Sequence, residues 1–156
     1  MVASKTICVR TSGRLRVRYV LVCPGFTSSP DSCYLYRPHD RQPWEGARDR
    51  CHELGGYLVA METPDELSSI REELLISHYG IEDFKFMWTG LNDRMSEGVY
   101  TWVEVGGTLA VTSKMWRDGQ PWTPPGFDHD CISFRGYTVE DFSCNASLTY
   151  ICEFKP

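Results

Sequence analysis

The sequence predicts a single disulfide-bonded domain of the α+β class, and three observations support that prediction. The first half contains two segments with a helical spacing of apolar residues. The second half contains short aromatic and β-branched runs separated by turn-forming residues, which is typical of strands. Six of the seven cysteines lie in two clusters toward opposite ends of this domain: Cys23, Cys33, Cys51, Cys131, Cys144 and Cys152. We therefore expect disulfides that join the ends of the domain.

The composition limits the size of the protein and its partners. A chain of 156 residues with 42% hydrophobic residues suits one domain with an appendage. No run approaches the ~18 apolar residues of a membrane-spanning helix. Residues 1–22 carry five basic and no acidic side chains, so the net charge of -5 leaves -10 on the remainder. An acidic body argues against nucleic acid as a partner. We expect a basic N-terminal arm at 1–22 and a domain at 23–156.

The first helix is predicted from Trp44 onward. Apolar residues recur at positions i, i+3, i+7 and i+10 from this tryptophan, which places them on one helical face. The pair Gly55-Gly56 is a typical helix end. The following run, 57–60, predicts a strand.

The second helix has a strong N-terminal signature. Thr63 can cap the helix, Pro64 suits the first helical position, and Glu66 completes a capping box. The predicted buried stripe consists of Leu67, Ile70 and Leu74. We therefore expect a helix that begins after Thr63.

The second half predicts strands and one long loop. Four runs are expected to form strands: 87–91, 99–103, 131–134 and 150–153. A loop rich in proline and glycine, residues 116–127, has no periodicity. Loops of this length are usually functional or disordered. Its aromatic residues, Trp116, Trp122 and Phe127, favour a functional loop.

An ordered series of short motifs runs through the chain. It comprises Cys33-Tyr34, Trp44-Glu45-Gly46-Ala47, Leu54-Gly55-Gly56-Tyr57-Leu58, Trp88-Thr89-Gly90-Leu91, Glu97-Gly98, Tyr100-Thr101-Trp102, Gly119-Gln120-Pro121, Asp130-Cys131 and Ile151-Cys152-Glu153. This series resembles the C-type lectin-like domain over roughly residues 23–154. The resemblance implies two helices flanking two small antiparallel sheets, with a long loop that presents the ligand surface.

The cysteines alone allow 15 pairings among six residues. The resemblance implies the pairs Cys23–Cys33, Cys51–Cys152 and Cys131–Cys144, and the first of these marks the long form of the domain. Cys8 is left over, either free, bonded to another chain, or part of a head foreign to the domain. Disulfides of this number indicate a secreted protein or the ectodomain of a larger one.

The resemblance implies that the long loop binds calcium and, through it, a sugar. A calcium ion takes six to eight oxygen ligands, and sugar hydroxyls can fill the last positions. Gln120 can supply a carbonyl oxygen, and we expect Pro121 to follow a cis peptide bond. Trp122 stands where the family has an oxygen ligand and cannot bind a metal.

Four further positions of the same site show how incomplete the match is. His129 stands where the family has glutamate, and imidazole is a poor calcium ligand. Asp141 matches a family ligand, and Glu140 keeps an oxygen where the family has asparagine. Asp128 could supply another oxygen, because this loop is one residue longer than the common spacing. Three oxygens without Asp128 are too few for tight calcium binding, so a loop that binds something else remains open.

A second calcium position of the family matches Asp93, Glu97 and Asp130. Carboxylates suit a hard cation. The alternative is an ordinary acidic surface turn.

The predicted function is non-enzymatic recognition. Histidines give no sign of a nucleophile–base pair, and His52-Glu53 lacks the second histidine of a metalloprotease motif. The leading hypothesis is calcium-assisted carbohydrate binding with a preference for galactose. Family members with glutamine at the position that corresponds to Gln120, and with a nearby aromatic ring, tend to bind galactose. The alternative is a calcium-independent module that binds a cell-surface or extracellular protein through the 116–127 loop. Asn145 begins a sequon for N-glycosylation.

Overall fold

The structure is a computed structural model of the chain, and it describes residues 6–11, 14–19, 32–78, 80, 85–110, 112–122 and 126–155. The strands are β1 (Thr6–Thr11), β2 (Arg14–Tyr19), β3 (Cys33–Gln42), β4 (Tyr57–Leu58), β5 (Met87–Asn92), β6 (Tyr100–Trp102), β7 (Thr108–Leu109), β8 (Cys131–Arg135), β9 (Thr138–Phe142) and β10 (Leu148–Phe154). The helices are α1 (Trp44–Glu53) and α2 (Pro64–Ser69), and α2 continues as a π-helical segment over Ile70–His78.

Helix α1 forms as predicted and buries its apolar face. Trp44, Ala47 and Cys51 are buried. At its end Gly55 has a positive φ of 84°, which glycine adopts without steric cost. The amides of Gly55 and Gly56 donate to carbonyls of the last turn, which satisfies acceptors that the helix leaves open.

Helix α2 also forms, with one difference from the predicted capping box. The Thr63 hydroxyl accepts a hydrogen bond from the Glu66 amide at 3.2 Å, as expected for a cap. The Glu66 carboxylate accepts from the amide of Glu62 instead of that of Thr63. The π-helical turns that follow place residues five apart on one face, so Ile70 is succeeded in the core by Leu75. Leu74 was also predicted for this face, but its side chain is not among those that the structure describes.

The described strands β3 to β10 form one continuous sheet, which corrects the expectation of two small antiparallel sheets. The cause is β10, which is seven residues long and has partners on both sides. It pairs antiparallel with β3 and β4, and Thr149 and Tyr150 pair parallel with β5. Strand β5 then pairs with β6 and β8, and β8 pairs with β9. The two expected halves are therefore joined at β10–β5.

Among the described residues, two clusters of buried side chains form the core. The smaller one surrounds Trp44 and Trp88 and contains both cysteines of the Cys51–Cys152 disulfide. This disulfide joins α1 to β10 across a sequence separation of 101 residues. It could stabilise the fold by roughly 4–5 kcal/mol through the entropy of the unfolded chain. Two of the implied pairings, this one and Cys131–Cys144, are thus confirmed.

The remaining implied disulfide involves the segment before β3. Cys33 is disulfide-bonded, whereas Cys23 lies outside the described residues. In the arm, β1 and β2 pair antiparallel and make a separate two-stranded sheet, which the sequence analysis did not anticipate. Among the described helices none has the length and apolar character needed to cross a bilayer.

Candidate functional site

The long loop starts from a fixed base on strand β9. The Val139 amide donates to the Met115 carbonyl at 2.8 Å, and the Arg117 amide donates to the Val139 carbonyl at 3.0 Å. Between them Trp116 is buried, with its ring 4.8 Å from that of Tyr100. Trp116 therefore packs in the core and does not contribute to the exposed surface of the loop.

The next turn brings three of the predicted site residues together. The Gln120 amide donates to the Arg117 carbonyl, and the peptide bond before Pro121 is cis, as predicted. The side-chain oxygen Oε1 of Gln120 accepts from the amides of Trp122 at 3.0 Å and Asp141 at 3.4 Å. The Trp122 amide also donates to Oδ2 of Asp141 at 2.6 Å. These contacts hold Gln120 and Trp122 against β9.

Three aromatic rings gather beside this turn, and we call Trp122, Phe127 and His129 the aromatic face. The ring centroid of Trp122 lies 5.1 Å from that of Phe127 and 5.3 Å from that of His129. Trp122 and Phe127 remain 46% and 60% exposed. His129, which the sequence analysis treated only as a lost ligand, thus supports an exposed hydrophobic surface. The presence of Trp and Phe in the same loop was the sequence signal for it.

Asp141 lies under the aromatic face and is almost completely buried. Burial raises the pKa of its carboxyl from 3.8 to about 6, although the Trp122 amide and nearby His129 oppose this shift. Its second oxygen, Oδ1, makes no hydrogen bond to any described residue. Asp141 is therefore a buried acceptor with capacity left for a further donor.

Glu140 has a different partner, which the sequence analysis missed. The Nη1 atom of Arg117 lies 2.8 Å from Oε2 of Glu140. The glutamate side chain is 5% exposed and the arginine side chain is 52% exposed. Burial raises the pKa of Glu140, although the charges of Arg117 and, less strongly, Arg135 oppose the rise. The available sequence signal was the carboxylate at a position where the family has a neutral amide, since a carboxylate that becomes buried is usually paired with a cation.

Asp93 is the centre of a second acidic cluster. Its Oδ2 accepts from the Gly98 amide at 2.8 Å, and its own amide donates to the Asp130 carbonyl at 3.0 Å. Burial raises the pKa of Asp93, and the charges of Glu97 and Asp130 raise it further. Glu97 is exposed, and Asp130 is half-buried. The predicted residues thus interact electrostatically around one buried carboxylate.

The remaining predicted site residues lie at the surface. Asp128 is exposed next to the aromatic face. Asn145 is exposed in the turn between β9 and β10, where the Ala146 amide donates to the Ser143 carbonyl.

Comparison with known proteins agrees with this architecture. The family model described as "Lectin C-type domain" matches residues 40–154. The chain belongs to the C-type lectin domain family. Domains of this family are generally binding modules rather than enzymes, and they generally bind calcium.

Two relatives illustrate the degree of similarity. "C-type lectin domain family 4 member M" of Symphalangus syndactylus is 26% identical over 132 residues, which cover 84% of this chain and 29% of that protein. "CD209 antigen-like protein C" of Mus musculus is 28% identical over 132 residues, covering 84% of this chain and 68% of that protein. The chain spans about a third of the length of several such relatives.

Solved structures match the domain more completely. Human lithostathine is 27% identical with a TM-score of 0.67, covering 85% of this chain and 98% of that one. The carbohydrate-recognition domain of the human scavenger receptor C-type lectin is 26% identical with a TM-score of 0.66, with the same coverage.

The donor set of this C-type lectin loop does not fit a calcium ion. Trp122 and His129 offer no oxygen, Oε1 of Gln120 already accepts two amide protons, and Glu140 is bound by the Arg117 cation. Within the described part of the chain, no three acidic, histidine or cysteine side chains are arranged as a metal site. The cluster at Asp93 fits better in its chemistry, because all three of its side chains are carboxylates. Oδ1 of Asp93, Oε1 of Glu140 and Oδ1 of Asp141 all lack a hydrogen-bond partner among the described residues, so that feature does not distinguish the two places.

Proposed function

We propose that this domain is an extracellular, non-enzymatic recognition module that binds a galactose-type sugar on the aromatic face without calcium in the loop. The observation that carries the proposal is the position of exposed Trp122 and Phe127 directly beside the polar groups of Gln120 and Asp141. Family membership and the disulfides support extracellular carbohydrate recognition.

The two halves of this surface suit the two halves of a pyranose. One face of galactose presents several C–H groups, which pack on an aromatic ring in the way apolar surface does. The hydroxyl groups need donors and acceptors. The amide group of Gln120 has donors left over, since its oxygen is occupied by the amides of Trp122 and Asp141. Asp128, exposed beside the aromatic face, offers a carboxylate acceptor, whereas the buried Asp141 acts by holding the Trp122 amide.

The test is retention of the purified chain on galactose-agarose and mannose-agarose, each with calcium chloride or with EDTA. We expect retention on galactose that EDTA does not abolish, and we expect Trp122→Ala and Asp141→Ala to lose it. Tyr137→Ala is the matched control, because Tyr137 is a similarly exposed aromatic residue, at 52%, outside the loop. Loss of retention in EDTA would contradict a loop site without calcium, and retention by Trp122→Ala would contradict the site.

A protein partner is the second candidate function. Half-exposed tryptophan is common at the centres of protein interfaces, and Trp122 with Phe127 forms such a surface. A glycan array that gives no signal, with or without calcium, would favour this candidate over the sugar.

We also propose a structural calcium ion that would draw together Asp93, Glu97 and Asp130, whose side chains are not arranged as a metal site in this structure. The supporting observation is the buried Asp93 carboxylate, whose pKa is raised by burial and by its two acidic neighbours. A cation would relieve that repulsion. Calcium should then raise the melting temperature of the wild type, and Asp93→Asn should remove the increase. An equal increase in both proteins would contradict this location.

Further proposals concern the chain as a whole. We place the domain at 23–156, with 1–22 as an arm outside it, and we pair Cys33 with Cys23.

We propose that Asn145 carries an N-linked glycan, since the residue is exposed in a turn. Expression in secretory cells followed by peptide-N-glycosidase should lower the mass of the wild type and leave that of Asn145→Gln unchanged.

A further inference from the structure

The base of the long loop contributes a cation to Glu140, the residue that stands where the family pattern places an ion ligand. Arg117 belongs to the base of the long loop, and its guanidinium contacts the buried Glu140 on β9. Burying a carboxylate without a partner is costly, so this contact compensates a charge that is otherwise nearly enclosed. The hydrogen bond is charge-assisted, which makes it stronger than a neutral one.

The contact lies immediately before the turn that positions the aromatic face. The Arg117 carbonyl accepts a hydrogen bond from the Gln120 amide. The side-chain oxygen of Gln120 in turn accepts hydrogen bonds from the amides of Trp122 and Asp141. A shift of Arg117 away from β9 would therefore move the residues that hold Trp122. The backbone bonds of Arg117 and Met115 to Val139 fix the start of the loop but do not reach the turn itself.

We propose that Arg117 is a positioning residue of the sugar site, and that its guanidinium on Glu140 holds the loop in place of a calcium ion. The consequence for sugar binding rests on the proposed function, whereas the effect on the loop does not. A guanidinium stays charged at any physiological pH and cannot dissociate from the chain. The loop is accordingly organised at any calcium concentration. The guanidinium binds Oε2 of Glu140, and its positive charge would repel a calcium ion that approached the same carboxylate at Oε1, which lacks a hydrogen-bond partner among the described residues.

The chain offers a matched control for this contact. Arg50 forms an ion pair with Glu53 at 2.9 Å, and its side chain is 54% exposed, close to the 52% of Arg117. The Arg50 pair lies on α1, and both of its partners are exposed. Arg117→Ala and Arg50→Ala therefore remove the same side chain from two pairs that differ in the burial of the acid.

The test is amide hydrogen exchange of the full chain, measured for peptides covering 115–122 and 138–142 with calcium chloride or with EDTA. We expect Arg117→Ala to exchange about tenfold faster in these peptides, since a hydrogen bond to a charged group contributes at least about that factor. Arg117→Lys should restore part of the protection, and Arg50→Ala should match the wild type. Glu140→Gln, which keeps the shape of the side chain, should also exchange faster. This variant replaces Arg117→Ala in the test if Arg117→Ala does not fold.

A second readout separates this inference from the proposed function. Retention on galactose-agarose in EDTA should weaken about tenfold in Arg117→Ala. Unchanged exchange in Arg117→Ala, or calcium slowing the exchange of the loop in an Asp93→Asn protein, would overturn the positioning role. Faster exchange in Arg117→Ala together with a wild type that never binds galactose would contradict the proposed function and support the positioning role.

Discussion

The scaffold and the long loop of this domain are stabilised by different kinds of interaction. In the scaffold, α1 and β10 are joined by the Cys51–Cys152 disulfide and by a buried apolar cluster. In the loop, Trp122 and its neighbours are held by hydrogen bonds to buried carboxylates, and the aromatic rings stay exposed. Stability should therefore depend mainly on the scaffold, and ligand binding mainly on the loop.

The largest effect should come from the disulfides. Replacing Cys51 and Cys152 with alanine should lower the free energy of unfolding by about 4–5 kcal/mol, because the closed loop is long. Replacing Cys131 and Cys144, which are only 13 residues apart, should cost about 3 kcal/mol. Denaturant unfolding measures both. A larger loss from the shorter pair would show that the loop end of the domain carries stability that we assign to the scaffold.

The next effect concerns the buried charge under the aromatic face. The folded pKa of Asp141, about 6, exceeds its ordinary value of 3.8. Its contribution to stability is therefore fully present below pH 3.8 and is lost as the pH rises through 6. Asp141→Asn removes this titration while keeping an oxygen for the Trp122 amide, so it should raise the free energy of unfolding at pH 7 by at most about 3 kcal/mol.

Thermal or denaturant unfolding between pH 4 and 7 measures this difference. The gap between Asp141→Asn and the wild type should widen as the pH rises. Asp118→Asn is the control, because it makes the same substitution at an exposed carboxylate of the same loop. A constant gap at every pH would show that Asp141 does not titrate in this range.

A smaller effect tests the scaffold at the helix cap. Thr63→Ala removes the acceptor of the Glu66 amide and should cost about 1 kcal/mol, whereas Thr63→Ser should cost little. Retention on galactose-agarose should not change in either variant. A binding defect in a folded Thr63→Ala protein would mean that scaffold and loop are coupled.

The smallest effect on stability should come from Phe127. Its side chain is 60% exposed, so Phe127→Ala should change the free energy of unfolding by about 0.5 kcal/mol or less. Galactose affinity should nevertheless fall several-fold, because part of the stacking surface is lost. Isothermal titration measures the affinity, and an unchanged value would limit the sugar site to Trp122.

Sequence reasoning succeeded where local rules decide the outcome. The cap at Thr63, the end of α1 at Gly55, the burial of Trp44 and the cis bond at Pro121 all follow from short motifs. It failed where distant segments meet without a motif that marks the contact. The parallel pairing of β10 with β5 leaves no local pattern, and neither does the pairing of Arg117 with Glu140 across 23 residues.

The candidate site shows the same division. Gln120 and Asp141 were chosen from the resemblance, and the structure places their side chains around the Trp122 amide. His129 could be judged only as a calcium ligand, because its contact with Trp122 depends on how the loop folds back. Departures from the family pattern thus concentrate where side chains interact across the loop.

The central claim is that a galactose-type sugar stacks on Trp122 without calcium in the loop. The most direct test is the indole N–H resonance of Trp122, assigned by comparison with Trp122→Ala, during titration of the wild type with galactose in EDTA. We predict a saturable shift of this resonance, with the buried Trp44 and Trp88 resonances unchanged. No shift of the Trp122 resonance in EDTA, or a shift that requires calcium, would contradict the account.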